Sequence, residues 1–138
     1  MATISNRALK ITHDHRKNTA NPVVTCTVRF STLELCQMKN CPEARLFKLK
    51  CQLWGADISV GEWWRGSDDY LYTYNDVNYF PDPTPSASEP RTFDVTVGEG
   101  LLDEDWLGTD EIYGLLLLYN LLTGTVIKKR TNVVSHSF

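Results

Sequence analysis

Five carboxylates fall within nine residues in "DEDWLGTDE", Asp103 to Glu111. Ca2+ is a hard cation that takes several oxygen ligands, so acids clustered on a loop between strands suit it. The same composition also serves as a well-solvated turn that keeps strand edges soluble. A second group with chemical potential is "HDH", His13 to His15. On an extended chain its two imidazoles project to the same side, with Asp14 between them. Such a pair can hold a metal once a third ligand joins it, but no third ligand is identifiable from spacing, and a polar turn is the competing reading. Paired carboxylates for glycoside hydrolysis could be assembled from Asp68, Asp69, Asp103 or Asp105, with nothing in the sequence to fix their separation. The motifs Gly-x-Ser-x-Gly, His-Glu-x-x-His, the P-loop and the dinucleotide fingerprint do not occur. The expectation is therefore a chain that binds rather than catalyses.

Aromatic residues supply the other candidate site. "GEWWRGSDDYLYTYNDVNYF" carries Trp63, Trp64, Arg65, Tyr70, Tyr72 and Tyr74 within twelve positions. Exposed rings beside Asp, Asn and Arg are how sugar-binding or protein-binding loops present a flat amphipathic surface. The alternating tyrosines read as a stripe on one sheet face, and Trp54 reads as core. Arg65 could stack on a neighbouring ring.

The elements that must position these groups are strands. "PVVTCTVRF" (Pro22–Phe30) sets Val24, Cys26, Val28 and Phe30 on one side, and "RLFKLKCQLWG" (Arg45–Gly55) does the same with Phe47, Leu49, Cys51 and Leu53. Asp69–Asn75 and Thr92–Val97 alternate likewise. "EIYGLLLLY" (Glu111–Tyr119) is apolar on both sides, as expected of a central strand or of one covered on each side. Weaker strands are expected at Ala8–Thr12 and Thr125–Val134, and a loop at the Pro- and Ser-rich Phe80–Arg91. The one helical candidate is Ser31–Ala44, with Ser31 as cap, Glu34 at the third helical position and Pro42 beyond its end. The fold this implies is all-β, a single antiparallel β-sandwich over residues 1–138, of about seven or eight strands, immunoglobulin-like in its two layers.

Cys26, Cys36, Cys41 and Cys51 are nested about the helix candidate. If strands 22–30 and 45–55 form an antiparallel hairpin with Cys26 opposite Cys51, then Val24 meets Leu53, Val28 meets Leu49 and Phe30 meets Phe47. Two readings stay open for the thiols: small buried hydrophobes, or disulfides Cys26–Cys51 and Cys36–Cys41 in an exported chain.

With the strands in place, "DEDWLGTDEIYG" resembles the third calcium-binding loop of C2 domains. Asp103, Asp105 and Glu111 stand at the acid positions, Ile112 and Tyr113 form the apolar pair, Gly114 leads into "LLLL", and "TFDVTV" is the strand before it. The resemblance spans Thr92–Leu118 and implies a Ca2+ site at Asp103, Asp105 and Glu111. "GSDDYLY", with Asp68 and Asp69, is the nearest match to the earlier acidic loop of that family.

Bulk properties bound the rest. Over 138 residues the hydrophobic content is 42%, the charged content 22% and the net charge −3, with a pI near 5.5. These are globular values without a basic stripe, so no nucleic-acid partner is expected; "IKKRTN" is too short a cluster to change that. No apolar run approaches a membrane span, and no export signal is visible, which favours the cytoplasm. The functional expectation is a binding or assembly module presenting aromatic and acidic loops to a protein partner or to a second copy. The alternative is a calcium-dependent lipid- or carbohydrate-binding domain.

Overall fold

In the computed structural model, which describes residues 1–56, 69–102 and 110–136, period-two sequence becomes strand. The strands are β1 (Thr3–Asp14), β2 (Thr19–Arg29), β3 (Phe47–Gly55), β4 (Asp69–Thr73), β5 (Asn78–Phe80), β6 (Ser88–Asp94), β7 (Val97–Gly98), β8 (Asp110–Asn120), β9 (Val126–Arg130) and β10 (Val134–His136). A helix, α1 (Thr32–Asn40), joins β2 to β3, and a single 3-10 turn (Glu99–Leu101) follows β7.

These strands form two antiparallel sheets. In the first, β2 is central, with β1 on one side and β6 continued by β7 on the other. In the second, β3 and β8 are central. Outside β3 run β4 and β5, and outside β8 run β9 and β10. The ten strands thus occupy seven rows, because three edge rows are interrupted. The expected all-β sandwich is the observed architecture. Its core is sealed by Val24, Cys26 and Val28 from β2, Leu49, Cys51 and Leu53 from β3, and Ile112, Leu116 and Leu118 from β8, all buried. Glu111–Tyr119 is indeed central, paired on both sides.

Strands 22–30 and 45–55 do not form a hairpin. β2 pairs with β1, β6 and β7, β3 pairs with β8, β4 and β5, and the two face each other from opposite sheets. Their apolar sides still meet: the rings of Phe30 and Phe47 lie 4.9 Å apart, and all four expected pairs belong to one core. The connection is what differs. Nine residues of α1 rise about 13 Å, at about 1.5 Å per residue, enough to carry the chain across sheets packed about 10 Å apart. Its start is the anticipated capping box: Ser31 Oγ accepts from Glu34 N–H at 3.2 Å while Glu34 Oε1 accepts from Ser31 N–H at 2.8 Å. Glu34 Oε2 also accepts from Ala2 N–H at 2.9 Å, tying the start of β1 to the helix.

Three further expectations are corrected. Tyr70, Tyr72 and Tyr74 do not share a face, because a bulge at Leu71 sets Tyr70 opposite Trp54 but Tyr72 opposite Leu53. Tyr72 and Tyr74 therefore turn inward, and Tyr74 is buried with its hydroxyl donating to Pro22 O at 2.7 Å. Trp54 is not core; it alternates outward from Leu53 and is half-buried. Finally, the loop after Phe80 ends at Ser88, where β6 begins. Pro90 fits that strand because β6 has no second strand partner among the described residues to receive an N–H.

The four cysteines are free thiols, Cys26 and Cys51 buried, Cys36 and Cys41 exposed. Burial pushes the Cys26 thiol up to about 11 against the pull of Arg91. Cys51 is pushed further, by burial and then by Cys26 beside it. Asn132 closes the seam between the sheets: its side-chain oxygen accepts from Leu9 N–H at 2.7 Å and its amide donates to Leu9 O at 3.1 Å. Among the described residues, no helix is long and apolar enough to cross a membrane.

Candidate functional site

The outer surfaces of the two sheets differ in their rings and in how many cations they hold. On the first sheet the outward positions of β2 and β6 carry Asn21, Val23, Thr25, Thr27, Arg29, Pro90, Thr92 and Asp94, with Ala8, Lys10 and Thr12 on β1. On the second sheet, register places Lys48 beside Tyr119, Lys50 beside Leu117, Gln52 beside Leu115 and Trp54 beside Tyr113. The next row adds Val126, Lys128 and Arg130 beside Tyr119, Leu117 and Leu115. These twelve outward positions of β3, β8 and β9, counting Glu111 at the end of β8, hold four cations and one carboxylate, and Tyr113 and Leu117 among them are buried beneath their neighbours.

The rings and cations of this face are organised. Lys48 Nζ sits 4.6 Å from the Tyr119 ring centroid and Arg130 Cζ 4.5 Å from that of Tyr113. Trp54 meets Tyr70 edge-on at 5.6 Å and donates its indole N–H to Gln52 Oε1 at 3.0 Å. A shallow hollow of ≈ 380 Å³ is lined by Trp54, Tyr113, Leu115, Lys128 and Arg130. The first sheet has a hollow of ≈ 420 Å³, lined by Ala8, Lys10, Thr12, Asn21, Val23 and Thr25. Size does not separate the two surfaces; lining chemistry does.

At one end of the sandwich lies a second group. His13 on β1 pairs with Ala20, which pairs in turn with Val97 on β7. The small alanine lies between His13 and the turn that begins two residues after Val97. There His13 Nε2 and Glu99 Oε2 are 2.6 Å apart, the imidazole buried and the carboxylate partly exposed. The His15 ring packs on His13 with centroids 3.9 Å apart and planes tilted by 49°. Local chain geometry holds the group: Asp14 Oδ1 accepts from Arg16 and Lys17 N–H, Asn18 takes φ 53°, and Glu99 N–H donates to Asn18 O at 2.9 Å.

A third cluster is structural. One Arg91 nitrogen donates to both Asp82 Oδ2 and Glu89 Oε2 at 2.9 Å, while its guanidinium stacks 4.8 Å from the Phe80 ring centroid. Burial and then the Asp82 carboxyl beside it raise Glu89, against the pull of Arg91. Burial also pushes Asp82 up, but hydrogen bonds with Glu89 and Arg91 and the guanidinium charge outweigh it and hold Asp82 below its ordinary value.

Of the residues singled out in sequence, Tyr70 stands on the outer face of the second sheet, and Glu111 is half-buried at its end. Tyr72 and Tyr74 face the core. Trp63, Trp64, Arg65, Asp68, Asp103 and Asp105 lie outside the described residues. Sequence reading missed Lys48, Lys50, Lys128 and Arg130 as a set; "IKKRTN" carried part of the signal, since alternate residues of it face one way. It also missed Glu99, which lies 86 positions from His13. No family model, no curated protein and no solved structure matches the chain.

Proposed function

We propose that this chain is a non-catalytic binding module whose outer second-sheet face docks an acidic, partly apolar surface of a protein partner. The observation that carries the reading is the outer face of β3, β8 and β9, where aromatic and aliphatic groups are ringed by Lys48, Lys50, Lys128 and Arg130, whereas the first sheet turns out a mixed set of Thr, Asn, Val23, Lys10, Arg29 and Asp94 without rings. The chain as a whole has net charge −3, so this cationic face runs against the average and is suited to attract a complementary acidic surface. Rings whose bodies pack and whose tips reach solvent are the side chains that dominate interface energies. A rigid central pair of strands presents them in fixed register, which limits the ordering cost of binding.

A photo-crosslinking amino acid at position 115, compared with one at position 25 on the other sheet, tests the proposal. The expected result is a protein adduct from position 115 that weakens with added salt and disappears in the K48E/K128E variant. Adducts formed equally from position 25, or unchanged by charge reversal, would rule this face out.

A further inference from the structure

We infer that His13, His15 and Glu99 form a binding site for a divalent transition-metal ion of the zinc type, joining the β1–β2 turn to the 3-10 turn after β7. One ligand atom from each residue lies within 4.8 Å of the others. Four-coordinate Zn2+ holds imidazole nitrogen and carboxylate oxygen at about 2.0–2.2 Å, which places neighbouring ligand atoms about 3.3 Å apart. The His13–Glu99 contact at 2.6 Å must open by about 0.7 Å to reach that spacing, and the longer separations must close. The groups that need to move can do so, because His15 is exposed and Glu99 partly exposed, whereas the His13 ring is buried and fixed. An ion seated there takes the place of the proton between Nε2 and Oε2.

The donor set selects the ion. Two imidazoles and one carboxylate favour zinc and its first-row neighbours over Ca2+ or Mg2+, which prefer all-oxygen shells. Three protein ligands leave a fourth position for water or for a donor from a partner. The site is independent of the second-sheet face, so either assignment stands or falls alone.

The test uses the full chain with Cys36 and Cys41 replaced by Ser, which removes the exposed thiols as competing ligands. Equilibrium dialysis should show one tightly held equivalent of Zn2+, and Co2+ should give visible bands of a nitrogen–oxygen site without thiolate charge transfer. The melting temperature should rise with free Zn2+ and stay unchanged with Ca2+. H15A and E99Q, each at partly or fully exposed positions, should weaken Zn2+ uptake at least tenfold while their metal-free melting temperatures stay near that of the parent. Absence of uptake by the parent, uptake that persists in the H15A/E99Q double variant, or an equal response to Ca2+ would overturn the assignment.

Discussion

Gly114 on β8 approaches Val24 on β2 so closely that a Cβ added to the glycine would stand 2.9 Å from Val24 Cγ2. The same added atom would meet Thr131 Cγ2 at 3.1 Å, and Thr131 Oγ1 is already accepting from Gly114 N–H at 2.8 Å. Val24 is fully buried. G114A should therefore destabilise the fold by about 1–3 kcal/mol through overpacking. G98A, where nothing among the described residues lies within 4 Å, should be nearly neutral. Urea denaturation of both variants checks this, and equal stabilities would place the sheets further apart than described.

Glu34 joins the start of α1 to the start of β1, and its titration should be visible in stability. Burial pushes its carboxyl up, but hydrogen bonds from Ser31 and from Ala2 N–H outweigh that and hold it below its ordinary value of 4.5. A carboxyl lowered on folding contributes stability that is present above 4.5 and is lost as pH falls through the folded value. E34A should cost about 1–2 kcal/mol at pH 7, the usual loss for a broken cap with an added tertiary bond. Melting curves at pH 7 and pH 3 should show the gap between parent and E34A shrinking at the lower pH.

Glu89 should act with the opposite sign. Its carboxyl is raised on folding, by burial first and then by Asp82, so its contribution is full below 4.5 and declines as pH rises. E89Q keeps a neutral side chain at that position. The stability of E89Q relative to the parent should therefore improve from pH 4 to pH 7, read as the difference in melting temperature. A difference that is constant with pH would contradict the described packing of Asp82, Glu89 and Arg91.

The thiols should divide into two classes. Cys36 and Cys41 are exposed, whereas Cys26 and Cys51 are buried and held protonated well above neutral pH. A colorimetric thiol reagent at pH 8 should titrate two cysteines quickly in the folded protein and all four in denaturant. C36S/C41S should abolish the fast phase.

Much of this fold was legible because alternation and capping are local. The pattern from Val24 to Phe30 and from Phe47 to Leu53 names the inward side chains, and Ser31 with Glu34 names the start of α1. What joins what was not legible. A chain reversal between two strands brings Val24 toward Leu53 and Phe30 toward Phe47 whether they lie side by side in one sheet or face to face in two. The helix itself was the clue, since hairpins turn in about two to five residues and a nine-residue helix has the length to change sheets. The Tyr70–Tyr74 stripe failed for a related reason: one bulged residue, Leu71, reverses the side on which the rest of the strand faces. Glu99 was invisible beside His13 and His15 because only β7 pairing with β2 brings it there.

Every assignment of an outer surface depends on β2 and β3 lying in opposing sheets. Cross-strand NMR contacts between backbone Hα protons measure this directly. The account predicts contacts or ladder connectivities between Cys51 and Leu116 and between Cys26 and Arg91, the register partners in the two sheets, with only side-chain contacts between Cys26 and Cys51. A backbone Hα–Hα contact between Cys26 and Cys51 would put both strands in one sheet and contradict the account.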